Sequence, residues 1–130
     1  MTPSKNLRLT LKANATFSAL CGLLILLFYN KLAAFMQVSA TSILIVIGVG
    51  LLLFETFLWW VATRPHINRT LVKSIIIQDW LWVIGTVIIC VFQAFGISTG
   101  GYWLMVAIGG LVGTFAILQS MFLRRLNKPV

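Results

Sequence analysis

Residues 42–62 read SILIVIGVGLLLFETFLWWVA, 21 positions that carry one charge, Glu55. About 20 apolar residues, rising 1.5 Å each in a helix, cross a hydrocarbon core of about 30 Å. The stretch is therefore long enough to span a membrane. It stops at TRPHINRT, residues 63–70, where Pro65 and a run of polar side chains end a helix.

Working outward, three more blocks have comparable character. The first covers about 14–30, NATFSALCGLLILLFYN, and continues into the amphipathic KLAAFMQVSAT. It is short for a span unless the helix runs past Lys31, whose long side chain can reach the interface. The third covers about 74–96 and opens with SIIIQDWLWVIG; the fourth covers about 101–123, GYWLMVAIGGLVGTFAILQSMFL. The tight ISTGG turn between them predicts antiparallel neighbours. Backbone groups cannot go unpaired in lipid, so continuous runs of this length predict helices rather than barrel strands. The expected fold is all-α, a polytopic membrane four-helix bundle forming a single transmembrane domain over residues 1–130.

Composition agrees. The chain has 130 residues, 60% hydrophobic and 9% charged, with mean hydropathy +1.02, whereas soluble domains are roughly half apolar and a quarter charged. Lys5, Arg8 and Lys12 precede the first block, Arg64, Arg69 and Lys73 lie around the middle loop, and Arg124, Arg125 and Lys128 follow the last. Only Lys31 falls on the other side. The positive-inside rule then places both termini and the middle loop in the cytoplasm, with the chain in the cell inner membrane. A net charge of +8 is accounted for by this topology and by anionic lipid headgroups. The basic residues are dispersed beside helix ends instead of forming one patch, which argues against a nucleic-acid partner.

A signal peptide cleaved after Ala40 is the weaker reading of the first block, because 30–40 is long for the segment before a cleavage site. Asn14 and Asn68 head NAT and NRT, matches to the glycosylation sequon on the expected cytoplasmic side that read as chance. Cys21 and Cys90 fall at depths about 12 Å apart along their helices, too far for a disulfide, and read as core thiols. His66 is the only histidine and lies beside Pro65, so neither a metal site nor a cofactor is expected.

The chemistry rests on two acids. Counting along the helices puts Glu55 and Asp79 at similar depth, roughly 10 and 8 Å from the same membrane face. Asp79 heads a polar line at helical spacing through Thr86, Cys90 and Gln93, while Asn14 and Ser18 in the first block and Gln119 in the fourth carry polar groups to the same half. An ionised acid at such depth costs several kcal/mol, so these residues are expected to face inward and be partnered or protonated. Lys12 or Lys73 could serve as counter-ion, or two close carboxyls could share a proton. Glu55, Asp79, Asn14, Thr86, Gln93 and Gln119 thus form the candidate polar site. Two uses compete: hydrogen-bond anchors that fix helix register in an accessory or structural membrane component, the preferred reading, or a proton-linked transporter or small-ligand site.

Gly48 removes a side chain two turns from Glu55, and Gly109 and Gly113 form a GxxxG pair. Both features suit close helix packing, within the bundle or against a second copy or another membrane protein. Trp59, Trp60, Trp80 and Trp82 are expected in an interfacial belt, with an aromatic-lined ligand pocket around Glu55 and Asp79 as the weaker reading. No HExxH, GxSxG or P-loop pattern occurs, and one histidine suggests no catalytic triad, so a non-enzymatic role is expected.

The layout of four helices in a compact, basic-ended chain resembles small bacterial inner-membrane proteins of unassigned function, DoxX-like ones among them, in architecture and without a shared motif. Small multidrug exporters hold their acid in the first helix, where FSALCGLLILLFY has none. Fluoride channels carry a glycine, threonine and phenylalanine motif that IGTVIICVFQAFG does not reproduce.

Overall fold

The computed structural model describes residues 3–92 and 96–127. The chain is all-α, with α1 (Pro3–Leu27), α2 (Tyr29–Met36), α3 (Thr41–Thr63), α4 (Arg69–Phe92) and α5 (Thr99–Asn127). Four of these, all but the short α2, are long and apolar enough to cross a membrane.

Two helices begin earlier than hydropathy suggests. α1, described from Pro3, already includes the basic residues ahead of the apolar run. Lys5, Arg8 and Lys12 therefore sit on α1 instead of preceding it. α4 starts at Arg69, five residues before Ser74, because Asn68 caps it: the Leu71 N–H donates to Asn68 Oδ1 at 3.2 Å. Lysine and arginine are good helix formers, so a helix continues through them past the end of the apolar run. As a result Trp80 and Trp82 lie about 16 and 20 Å along α4, well inside the span and away from the expected belt. Trp59 and Trp60 remain within about 6 Å of the end of α3.

α1 packs along α3 and α5, and α4 packs along α5, whereas α3 and α4 scarcely touch. The spans thus stand in a square in the order α3, α1, α5, α4, with α1 and α4 on a diagonal. The basic end is filled by a dry core of Leu7, Leu11 and Ala15 from α1, Leu58, Val61 and Ala62 from α3, Val72 and Ile75 from α4, and Leu123 from α5. Arginines close the helix ends above it. Arg8 Nη1 donates to Ala62 O (2.9 Å) and Arg64 O, and Arg8 Nη2 to Pro65 O (2.9 Å), while Arg69 Nη2 donates to Leu126 O at 3.3 Å. These bonds serve carbonyls at and just beyond the C-terminal ends of α3 and α5, where intrahelical partners run out.

At the opposite end α2 folds back against the bundle after a break at Phe28, burying Ala33 and Met36. It is fastened to the start of α5. The Ser98 N–H donates to Met36 O (2.8 Å), and Ser98 Oγ donates to Phe35 O (2.7 Å) and accepts from the Gly101 N–H (3.1 Å).

Glycines set two of the seams. A Cβ on Gly22 of α1 would lie 3.0 Å from the carbonyl oxygen of Gly48 on α3, so these helices meet backbone to backbone. A Cβ on Gly109 of α5 would lie 3.3 Å from Thr86 Cγ2 of α4, and one on Gly113 3.7 Å from Val83 Cγ2. Among the described residues, then, the GxxxG pair faces α4 of its own bundle.

Candidate functional site

Asp79 lies on the buried face of α4 defined by Val72, Ile75, Asp79 and Thr86 and is 2% exposed. Heptad-like spacing carries Asn14 and Ser18 inward on α1, and places Gln119 between Ala116 and Leu123 on the inner face of α5. Three helices therefore deliver polar groups to one point. Asn14 Nδ2 donates to Asp79 Oδ2 (3.0 Å) and to Gln119 Oε1 (3.0 Å), and Gln119 Nε2 donates to Asp79 Oδ2 (2.9 Å). The Ser18 hydroxyl donates to Asn14 Oδ1 at 3.4 Å, extending the ring along α1. The Asn14 to Asp79 bond crosses the diagonal of the square, joining two helices whose backbones do not adjoin.

Donor counting explains the composition of this ring. An amide presents two N–H donors and a carbonyl, so Asn14 and Gln119 bond one another and the acid together. Among the described residues, every buried side-chain nitrogen and oxygen has a hydrogen-bond partner. Among the described residues, neither proposed counter-ion reaches Asp79: Lys12 Nζ lies 5.7 Å above the Trp59 ring, and Lys73 lies on the outer side of α4.

Asn14, Ser18 and Asp79 of this ring, but not Gln119, form part of the wall of a cavity of about 250 Å³. Asn14, Phe17, Ser18 and Cys21 line it from α1, Ile47, Gly50, Leu51 and Phe54 from α3, Gln78, Asp79 and Trp82 from α4, and Ile108 and Val112 from α5. On α1 and α3 these are stripes at i, i+3, i+4 and i+7, one helical face each. The space exists because α3 and α4 scarcely pack together. Its surface is mainly apolar, with a carboxyl, two amides and a hydroxyl as the polar groups, the usual make-up of a small-molecule pocket.

The other sequence candidates fall elsewhere. Glu55 is half-buried, accepts a hydrogen bond from Thr56 Oγ1 at 3.2 Å, and belongs neither to the ring nor to the cavity lining. Glu55 and Asp79 share a depth but not a site: equal depth does not place two side chains on facing surfaces, and Leu51 and Phe54 are the α3 residues turned to the cavity. Thr86 is buried but donates to Trp82 O (2.9 Å) and packs on Gly109. Gln93 lies outside the described residues. Cys21 and Cys90 are free thiols, the former on the cavity wall. Among the described residues, no three His, Cys, Asp or Glu side chains gather as a metal site requires.

Gln78 and Gly50 are not among the sequence candidates, and Trp82 lines the cavity instead of joining an interfacial belt. Their signal was present: Gln78 and Trp82 flank Asp79 at i−1 and i+3, and Gly50 opens the same face of α3 as Leu51 and Phe54. Comparison with protein-family models, with curated proteins and with solved structures finds no match to this chain. The resemblance to other small membrane proteins accordingly stands at the level of a four-helix membrane layout.

Proposed function

We propose that this four-helix membrane protein is a non-catalytic binding protein for a small, largely apolar solute bearing an amine or other strong hydrogen-bond donor. In this reading it resides in the inner membrane with its basic end toward the cytoplasm, as the charge distribution favours. The observation that carries the proposal is Asp79, held by two amides in the wall of a mainly apolar 250 Å³ cavity. Two amide donors fix the carboxyl in place, and a cationic solute would supply the charge partner that neither Lys12 nor Lys73 provides. The apolar stripes of α1 and α3 would take the rest of the molecule. Proton-coupled transport would extend this reading if the solute also crosses the membrane.

A second reading has its own observation. Because the buried polar atoms already satisfy one another, the ring also suits a purely structural clamp in an accessory component of a larger membrane assembly.

Titration in nanodiscs with cyclohexylamine, cyclohexanol and cyclohexanecarboxylate separates the two, with tryptophan fluorescence as readout because Trp82 lines the cavity. The binding reading expects a saturable response to the amine, weakened about tenfold or more in Asp79→Asn, which corresponds to at least about 1.4 kcal/mol. An equal response in Asp79→Asn, or none from the amine, would sink it in favour of the clamp. Copurification with a second membrane protein would then be the next observation to seek.

A further inference from the structure

A second groove, of about 300 Å³, lies on the outside of the bundle between α4 and α5, lined by Lys73, Ile76 and Ile77 from α4 and Ser120, Leu123 and Arg124 from α5. It is separate from the Asp79 cavity and shares no lining residue with it. Its chemistry is graded along the membrane normal. Lys73 is four residues from the start of α4 and Arg124 three from the end of α5, so both cations lie within about 6 Å of the helix ends. Ile76, Ile77 and Leu123 belong to the same two helix ends, and the isoleucines and Ser120 lie up to a turn deeper.

Among the described residues neither cation has a protein counter-ion. The chain has two acids: Asp79 is bonded to Asn14 and Gln119, and Glu55 to Thr56. Neither Lys73 nor Arg124 is ion-paired among the described residues. Elsewhere at this end cations are engaged, Arg8 and Arg69 on helix carbonyls, Lys12 over Trp59, Arg64 over Trp60 and Arg125 over Phe122. Among the described residues, Lys73 and Arg124 flank one groove whose apolar walls are Ile76, Ile77 and Leu123.

We propose that this groove binds an anionic phospholipid, its phosphate held between Lys73 and Arg124 and an acyl chain laid against Ile76, Ile77 and Leu123. Cations at the interface with apolar surface one turn below match the polarity order of a lipid molecule. Basic pockets between membrane helices are suited to such headgroups. The arginine can form paired N–H bonds to phosphate oxygens while the lysine acts as a point charge. A free anion would satisfy the cations but leave the isoleucine wall exposed, so a lipid is the occupant that uses the whole groove.

Native mass spectrometry of delipidated full-length protein tests this, with dioleoylphosphatidylglycerol and dioleoylphosphatidylcholine titrated in parallel. The phosphatidylglycerol adduct is expected at about tenfold lower lipid concentration, and Lys73→Gln/Arg124→Gln is expected to abolish that preference. Lys5→Gln/Lys12→Gln removes the same charge from α1 and should leave the preference intact. The proposal fails if the first pair retains it, if both pairs lose it equally, as diffuse surface charge would, or if millimolar inorganic phosphate displaces the lipid, which would mark a simple anion site.

Discussion

Gly48 and Gly50 stand two residues apart on α3 and meet opposite surroundings. A Cβ at Gly48 would come within 2.8 Å of Leu26 Cγ on α1, whereas one at Gly50 would find nothing within 4 Å. The first glycine allows two backbones to touch, and the second leaves the cavity wall empty. Lipid tails are as apolar as leucine, so helices in a membrane are held by close packing and polar contacts rather than by escape from water. An unpacked seam such as α3 with α4 is therefore tolerable only if the rest of the square is held firmly, which the α1 seams and the ring around Asp79 accomplish.

The comparison breaks first at Gly22. Its Cβ would meet the Gly48 carbonyl, part of the backbone, so Gly22→Leu must push α1 and α3 apart. We expect a loss of about 3 kcal/mol, the upper part of the range for overpacking, measured by unfolding in mixed micelles of increasing denaturing-detergent fraction. A neutral result would show that the seam is not the bundle's foundation. Leu58→Ala comes next. Leu58 is fully buried in the basic-end core, and the truncation should cost about 2 kcal/mol, the low end of the range in soluble proteins because lipid removes most of the transfer contribution. Phe54→Ala, on the cavity wall, should cost clearly less in the same assay.

The ring is expected to matter less than either packed seam. Asn14→Ala deletes both amide bonds that α1 makes to α4 and α5. Membrane hydrogen bonds average about 0.6 kcal/mol, so two predict a loss of about 1 kcal/mol in the same unfolding series. A loss as large as that of Gly22→Leu would instead make the ring the main clamp and favour the structural reading of Asp79.

How far this was legible in the sequence follows from what a helix makes countable. Length and hydropathy identified four spans, because the membrane imposes a minimum apolar run. Depth could also be counted, at 1.5 Å per residue, which is why Asp79, Asn14 and Gln119 could be grouped before their contacts were known. Rotation about the axis could not be read for α3, whose side chains are apolar nearly all round, so no stripe distinguishes the face carrying Glu55 from the one carrying Leu51 and Phe54. Helix extent is a separate matter: hydropathy marks where lipid ends, whereas α1 and α4 continue through the flanking basic residues, and Asn68 caps the start of α4. The α3 to α4 gap depends on which helices adjoin, and a single chain's pattern does not specify that order.

Gly50→Leu sharpens the comparison with the smallest expected effect on stability. The space beside Gly50 is open, so the added side chain should fit with an unfolding change near zero, within about 0.5 kcal/mol. It should nevertheless occupy the cavity wall that Cys21 shares. In a Cys90→Ser background, labelling of Cys21 by a small lipophilic maleimide is expected to slow several-fold in Gly50→Leu, and cyclohexylamine should lose its fluorescence response. Slower labelling with unchanged stability would separate the cavity's function from the bundle's integrity. Unchanged labelling would mean that reagent reaches Cys21 by a path other than the cavity, and destabilisation would mean that α3 and α4 pack there more closely than the open space beside Gly50 implies.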